Sequence, residues 1–75
     1  MNILFFGNLV DITQKAQEAL SGTTNTQTLQ ALLCKKYPAL QSVKYFIAVN
    51  GKMIQENTPL KEGDTVALMP PFSGG

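Results

Sequence analysis

The stretch Thr26-Gln27-Thr28-Leu29-Gln30-Ala31-Leu32-Leu33-Cys34-Lys35-Lys36-Tyr37-Pro38, residues 26–38, is the one segment of this chain that reads clearly as a helix. Leu29, Leu32, Leu33 and Tyr37 recur at the i, i+3, i+4, i+8 spacing of a single apolar stripe. Two start signals precede it: Asn25 as N-cap, or Thr24 with Gln27 as a capping box. Lys35 and Lys36 fall in the last turn, where positive charge favours the negative end of the helix dipole. Pro38 ends the helix, because a proline disfavours helical geometry in the residue before it.

On either side the pattern changes to strands. Asn2 to Phe6 is apolar and rich in strand formers, closed by Gly7-Asn8; period two turns Ile3 and Phe5 inward and Leu4 outward. A short helical turn near Leu9–Gln14 and a weak second strand around Gln17–Leu20 are expected next. Tyr45 to Val49 reads as a strand, and Asn50-Gly51 is a two-residue hairpin signal because both positions tolerate positive φ. Lys52-Met53-Ile54 is then the returning strand. Asn57-Thr58-Pro59-Leu60 and Lys61-Glu62-Gly63-Asp64 are successive turns. Thr65 to Met69 alternates once more, with Val66 and Leu68 inward and Ala67 and Met69 outward. This order predicts an α+β domain: one main helix across one face of a mixed four- to five-stranded sheet. The other face stays uncovered, and Leu4, Ala67 and Met69 are expected to collect there as a partner surface.

Composition narrows the function. The chain has 75 residues, room for one domain that buries about 60% of its unfolded surface. Six Lys, no Arg and five acidic residues give a net charge of +1, which argues against nucleic acid as a partner. No apolar run approaches the roughly 20 residues of a membrane span, and Met1 to Phe6 lacks the basic leader of a signal peptide. A single cysteine and the absence of a leader make the cytoplasm the expected compartment. With no His, one Cys and scattered carboxylates, neither a catalytic triad nor a metal site is expected. Such a chain enters chemistry as a carrier or substrate inside another protein's active site. Cys34, mid-helix on the flank of the stripe, is expected to be a packing residue rather than a persulfide carrier.

Residues 1–69 form the expected domain and 70–75, Pro70-Pro71-Phe72-Ser73-Gly74-Gly75, a tail. The prolines bias the backbone toward extended polyproline II geometry. Six residues reach on the order of 20 Å. Gly74 and Gly75 can thread a channel too narrow for a side chain, and the terminal carboxylate, with an intrinsic pKa of about 3.3–3.7, is ionised at neutral pH.

The runs Ala48-Val49-Asn50-Gly51, Thr58-Pro59-Leu60 and Glu62-Gly63-Asp64-Thr65-Val66-Ala67, followed by that tail, closely resemble the small, sulfur-carrier subunits of molybdopterin synthase. The likeness extends to Leu4-Phe5-Phe6-Gly7-Asn8-Leu9 and to the Leu29–Tyr37-Pro38 helix. The chain departs from that family at Gly7, where Ala is usual, and at Val10-Asp11, where Arg-Glu is common. The resemblance implies a ubiquitin-like β-grasp fold and a small non-catalytic subunit, with no active site of its own, in a heterotetrameric synthase. It implies that Gly75 is the reacting residue, first as glycyl adenylate and then as a thiocarboxylate, with Gly74 threading beside it. Leu4, Ala67, Met69, Pro70, Pro71, Phe72 and Ser73 become the partner-binding set, Met69 foremost because its thioether adapts to different surfaces. The implied partners are the large synthase subunit, an E1-like adenylyltransferase and a sulfur-donating enzyme. No cofactor is bound; ATP is used in trans by the activating enzyme. Other readings of the same tail are thiocarboxylate delivery to thiamine or tRNA thiolation, and a ubiquitin-like protein modifier.

Overall fold

The computed structural model describes residues 1–71. In chain order the elements are β1 (Asn2–Phe5), α1 (Leu9–Thr13), β2 (Gln17–Ala19), α2 (Thr26–Lys36), a 3₁₀ turn (Pro38–Ser42), β3 (Phe46–Val49), β4 (Lys52–Ile54) and β5 (Thr65–Met69). The five strands form one sheet in the order β2-β1-β5-β3-β4. Only β1 and β5 run parallel; the other pairs are antiparallel. The helix and both short strands expected from the sequence are present, and the architecture is the expected mixed sheet under one main helix.

Alternation divides the sheet into two faces. Ile3, Phe5, Ile47, Val66 and Leu68 point to the covered side and are buried. Against them pack Leu29 and Leu33 of α2, Leu9 of α1, Leu40 of the 3₁₀ turn and Leu60. Burying each such side chain contributes about 1.5–3 kcal/mol, which is what holds a domain of this size together. Pro38 does more than end α2: it opens the 3₁₀ turn that carries Leu40 into this core.

The helix stripe differs from the expected one at Leu32, which is 38% exposed. Thr26, Leu29 and Leu33 define the buried line. Leu32, the direct neighbour of Leu33, lies about 100° around the helix from it and so faces away. Thr26 takes the vacant place, because its hydroxyl is satisfied: it accepts from the Thr58 N–H (2.9 Å) and reaches Asn57 Oδ1 (3.4 Å). The cap is Asn25, whose Oδ1 accepts from the Thr28 N–H at 2.8 Å, while Asn57 accepts from the Gln27 N–H at 2.9 Å. A distant loop thus shares in capping α2.

The turn between β3 and β4 is also tied to the sheet. Asn50 and Gly51 both adopt positive φ (52° and 84°). Asn50 Oδ1 accepts from the Thr65 N–H (2.9 Å), and its amide donates to Asp64 (3.0 Å). That hydrogen bond and one from the Lys61 N–H hold the Asp64 carboxyl below its usual range.

Glu18 is the one buried ionisable side chain among the described residues. It sits on β2 opposite Ile3, on the covered side. Tyr37 donates to it at 2.5 Å, Lys36 bonds its other oxygen, and Lys15 lies 3.5 Å away. Tyr37 in turn meets the edge of Phe5, with ring centroids 6.2 Å apart. Burial is the largest influence on Glu18 and opposes its charge, yet the bonds from Lys36 and Tyr37, with the charges of Lys36 and Lys15, outweigh it and hold the carboxyl below its usual range. The same bond pushes the Tyr37 hydroxyl up. Because Glu18 titrates lower in the folded chain, its stabilisation is complete above the unfolded value near 4.5 and is lost as pH falls through the folded value. Glu18→Gln is expected to flatten the acid limb of the stability curve and to cost about 1–2 kcal/mol at neutral pH, counting the exposed lysines low. Urea denaturation from neutral to acid pH measures both; an unchanged acid limb would remove Glu18 from this role.

Candidate functional site

Among the described residues no helix packs on the second face of the sheet. Register sets out its composition: Gln17, Leu4, Ala67, Ala48 and Met53 stand opposite one another across all five strands. Met69 stands opposite Phe46 in the neighbouring row, and Asn2 opposite Thr65 and Ala19 in the other. None of these strand residues is charged. The row is therefore a slab of apolar side chains with a thin polar margin, from which water is displaced at little electrostatic cost.

Leu4, Ala67 and Met69 lie where the alternation puts them, and all three are half-buried. The most exposed apolar groups are others: Met53 at 52% and Phe46 at 42%, with Phe6 at 45% just past β1. The sequence reading passed over these three. A signal for two of them was present, since a two-residue Asn50-Gly51 turn pairs Val49 with Lys52 and hence Ala48 with Met53, and period two then adds Phe46 to the same side. Met69 is flanked by Phe46, and Ala48 is nearly covered despite facing outward.

β5 leads out of this slab. It is the central strand, held by β1 on one side and β3 on the other, and the chain continues from Met69 into Pro70 and Pro71, both half-buried. The expected site residues Phe72, Ser73, Gly74 and Gly75 lie outside the described residues. Cys34 is half-buried and lines, together with Gln30, Tyr45, Phe46 and Pro71, an open cavity of about 450 Å³. Burial pushes the Tyr45 hydroxyl up there, although Gln30 donates to it at 3.4 Å. Among the described residues no three His, Cys, Asp or Glu side chains gather as a metal set, and no helix is long and apolar enough to cross a membrane.

The sequence profile of the ThiS family matches residues 3–75 of this chain. A molybdopterin synthase sulfur carrier subunit from Chlamydomonas reinhardtii is 31% identical over 81 residues, covering 100% of this chain and 98% of that protein. A chain in the complex of subunits 1 and 2 of molybdopterin-converting factor from Helicobacter pylori 26695 superposes with a TM-score of 0.74 at 31% identity, covering 99% of this chain and 96% of the other. The small archaeal modifier protein 1 from Methanosarcina acetivorans superposes at 0.84 with 28% identity, over 99% of this chain and 94% of the other.

If the bare face stands free for docking, its exposed residues contribute little to folding. Phe46→Ser and Met53→Ser are expected to shift the unfolding free energy by no more than about 0.5 kcal/mol, against about 2–5 kcal/mol for Leu68→Ala on the covered face. Urea denaturation compares them, and equal losses on the two faces would make Phe46 and Met53 supports of the core.

Proposed function

The chain belongs to the ThiS family, and on that premise we propose that it is a sulfur carrier of molybdenum cofactor biosynthesis, the small subunit of a cytoplasmic molybdopterin synthase. The observation that carries this reading is the uncharged apolar face running in register to Met69, directly before Pro70 and Pro71 and the segment Phe72-Ser73-Gly74-Gly75. The likeness to the Chlamydomonas carrier subunit and to a chain of the Helicobacter complex supports it.

In this reading the Gly75 carboxylate attacks the α-phosphate of ATP in an E1-like adenylyltransferase, releasing pyrophosphate and leaving an acyl-adenylate. A carboxylate alone resists nucleophiles, because substitution would expel an oxide; AMP is a far better leaving group. A sulfur-donating enzyme then supplies the sulfur that displaces AMP, giving a thiocarboxylate. Docking through Leu4, Phe46, Met53, Ala67 and Met69 brings the tail to the large synthase subunit. Pro70 and Pro71 stiffen the arm, Phe72 and Ser73 seat it, and Gly74 and Gly75 enter a passage that admits no side chain. There the sulfur passes to a cyclic pyranopterin phosphate, water restores the carboxylate, and a dithiolene requires two such deliveries. The carrier contributes position and a reactive end, while its partners contribute the acid, base and charge stabilisation that a chain without His lacks.

The likeness to the archaeal modifier favours one second reading, in which a lysine amine of a target protein attacks the same adenylate to give an isopeptide bond. Intact-mass measurement after incubation with the activating enzyme, ATP and a sulfide source separates the two. The carrier is expected to gain the difference between one sulfur and one oxygen, and to lose that gain when Gly75 is deleted or one residue is appended. Slower-migrating lysine adducts instead would favour the modifier, and neither product from an active enzyme would overturn both. Met53→Glu is expected to weaken capture of the large subunit about tenfold or more without unfolding the carrier.

A further inference from the structure

Four described glycines have positive φ, and one differs from the rest. A Cβ added to Gly22, Gly51 or Gly63 would meet nothing within 4 Å. At Gly7, with φ +59°, it would stand 2.7 Å from Pro70 Cγ, 3.3 Å from Cδ and 3.9 Å from Cβ. The first distance is below any real carbon contact. The obstacle is not the free end of a flexible side chain. It is a ring closed onto its own backbone nitrogen, so beyond the small shift that a change of ring pucker gives Cγ it yields only if the main chain at residue 70 moves.

Gly7 itself is held on both sides. The preceding Phe6 N–H donates to Leu68 O (3.1 Å), which extends the ladder to β5 by one bond, and Gly7 O accepts from the Val10 N–H (3.2 Å) at the start of α1. Pro70 therefore rests on backbone anchored to both the central strand and the first helix.

We propose that Gly7 is a positioning residue for the transfer reaction: its bare Cα is the seat of Pro70, and that seat sets the direction in which the tail leaves the domain. The inference rests on the reading that the chain's end is delivered to partner enzymes. A mis-seated Pro70 aims the tail away from the partner's passage, and docking must bend it back. That cost weakens binding of ground state and transition state alike, so it falls on KM rather than kcat.

Three substitutions, two of them also combined, and one spectrum test this. In the wild-type chain, nuclear Overhauser contacts between the Gly7 α-protons and the Pro70 ring are expected; their absence would remove the seat whatever the chain's function. With the activating enzyme held constant, Gly7→Ala is expected to lower kcat/KM for thiocarboxylate formation by about tenfold to a hundredfold, mostly through KM, with kcat within about twofold. Gly22→Ala, at φ +88° and so at least as strained in its backbone, meets nothing within 4 Å and is expected to match the wild type within about twofold, as strain alone does not redirect the tail. In a Pro70→Ala background, which lacks the obstructing Cγ, the penalty of Gly7→Ala is expected to shrink to about twofold or less. Equal losses for Gly7→Ala and Gly22→Ala, or an undiminished loss in the Pro70→Ala background, would overturn the proposal. A wild-type chain that forms no thiocarboxylate would instead strike the underlying reading, leaving the spectrum to decide the seat.

Discussion

Everything in this fold depends on β5 being sandwiched between a parallel neighbour and an antiparallel one. Val66 and Leu68 lie at zero exposure under the helix, and their burial fixes the register of β1 and β3 on either side. Because successive side chains must alternate, the same register forces Leu4, Ala67, Ala48 and Met69 to the opposite face. Burying one face thus generates the other. The bare slab is not a separate feature added to the domain but the necessary reverse of its core.

The periphery is held by polar contacts that bridge distant parts of the chain. Asn57 and Thr58 fasten the segment before β5 to the first turn of α2, while Asn50 and Asp64 tie the β3–β4 turn to the start of β5. At the other edge, Glu18, Lys36 and Tyr37 join β2 to the end of α2. A small core leaves little hydrophobic energy in reserve, so these bridges keep the edge strands in place and the central strand rigid.

The division of labour follows from the residues that are missing as much as from those present. The chain has no His, the side chain that most often moves protons near neutral pH, and its one thiol is half-buried. What it presents is shape: an uncharged apolar face and, at the end of its central strand, Pro70 beside Gly7.

Much of this was legible in the order of residues, because helix and strand periodicity, the Asn50-Gly51 turn and the stop at Pro38 are local effects that act between near neighbours. The main helix, the mixed sheet and the outward side of Leu4, Ala67 and Met69 all came from that local logic. The sequence also determined the uncharged character of the bare face, since charge is a property of the residues themselves. Only the tertiary structure decided which of two adjacent leucines entered the core, Leu33 or Leu32, for that depends on where the sheet meets the helix. It alone brought Glu18 to Tyr37 and Asn57 to the start of α2, across separations of 19 and 30 residues. It alone placed Gly7 under Pro70, at opposite ends of the chain. Contacts of that kind are set by how strands pair in space, and no local pattern encodes the pairing.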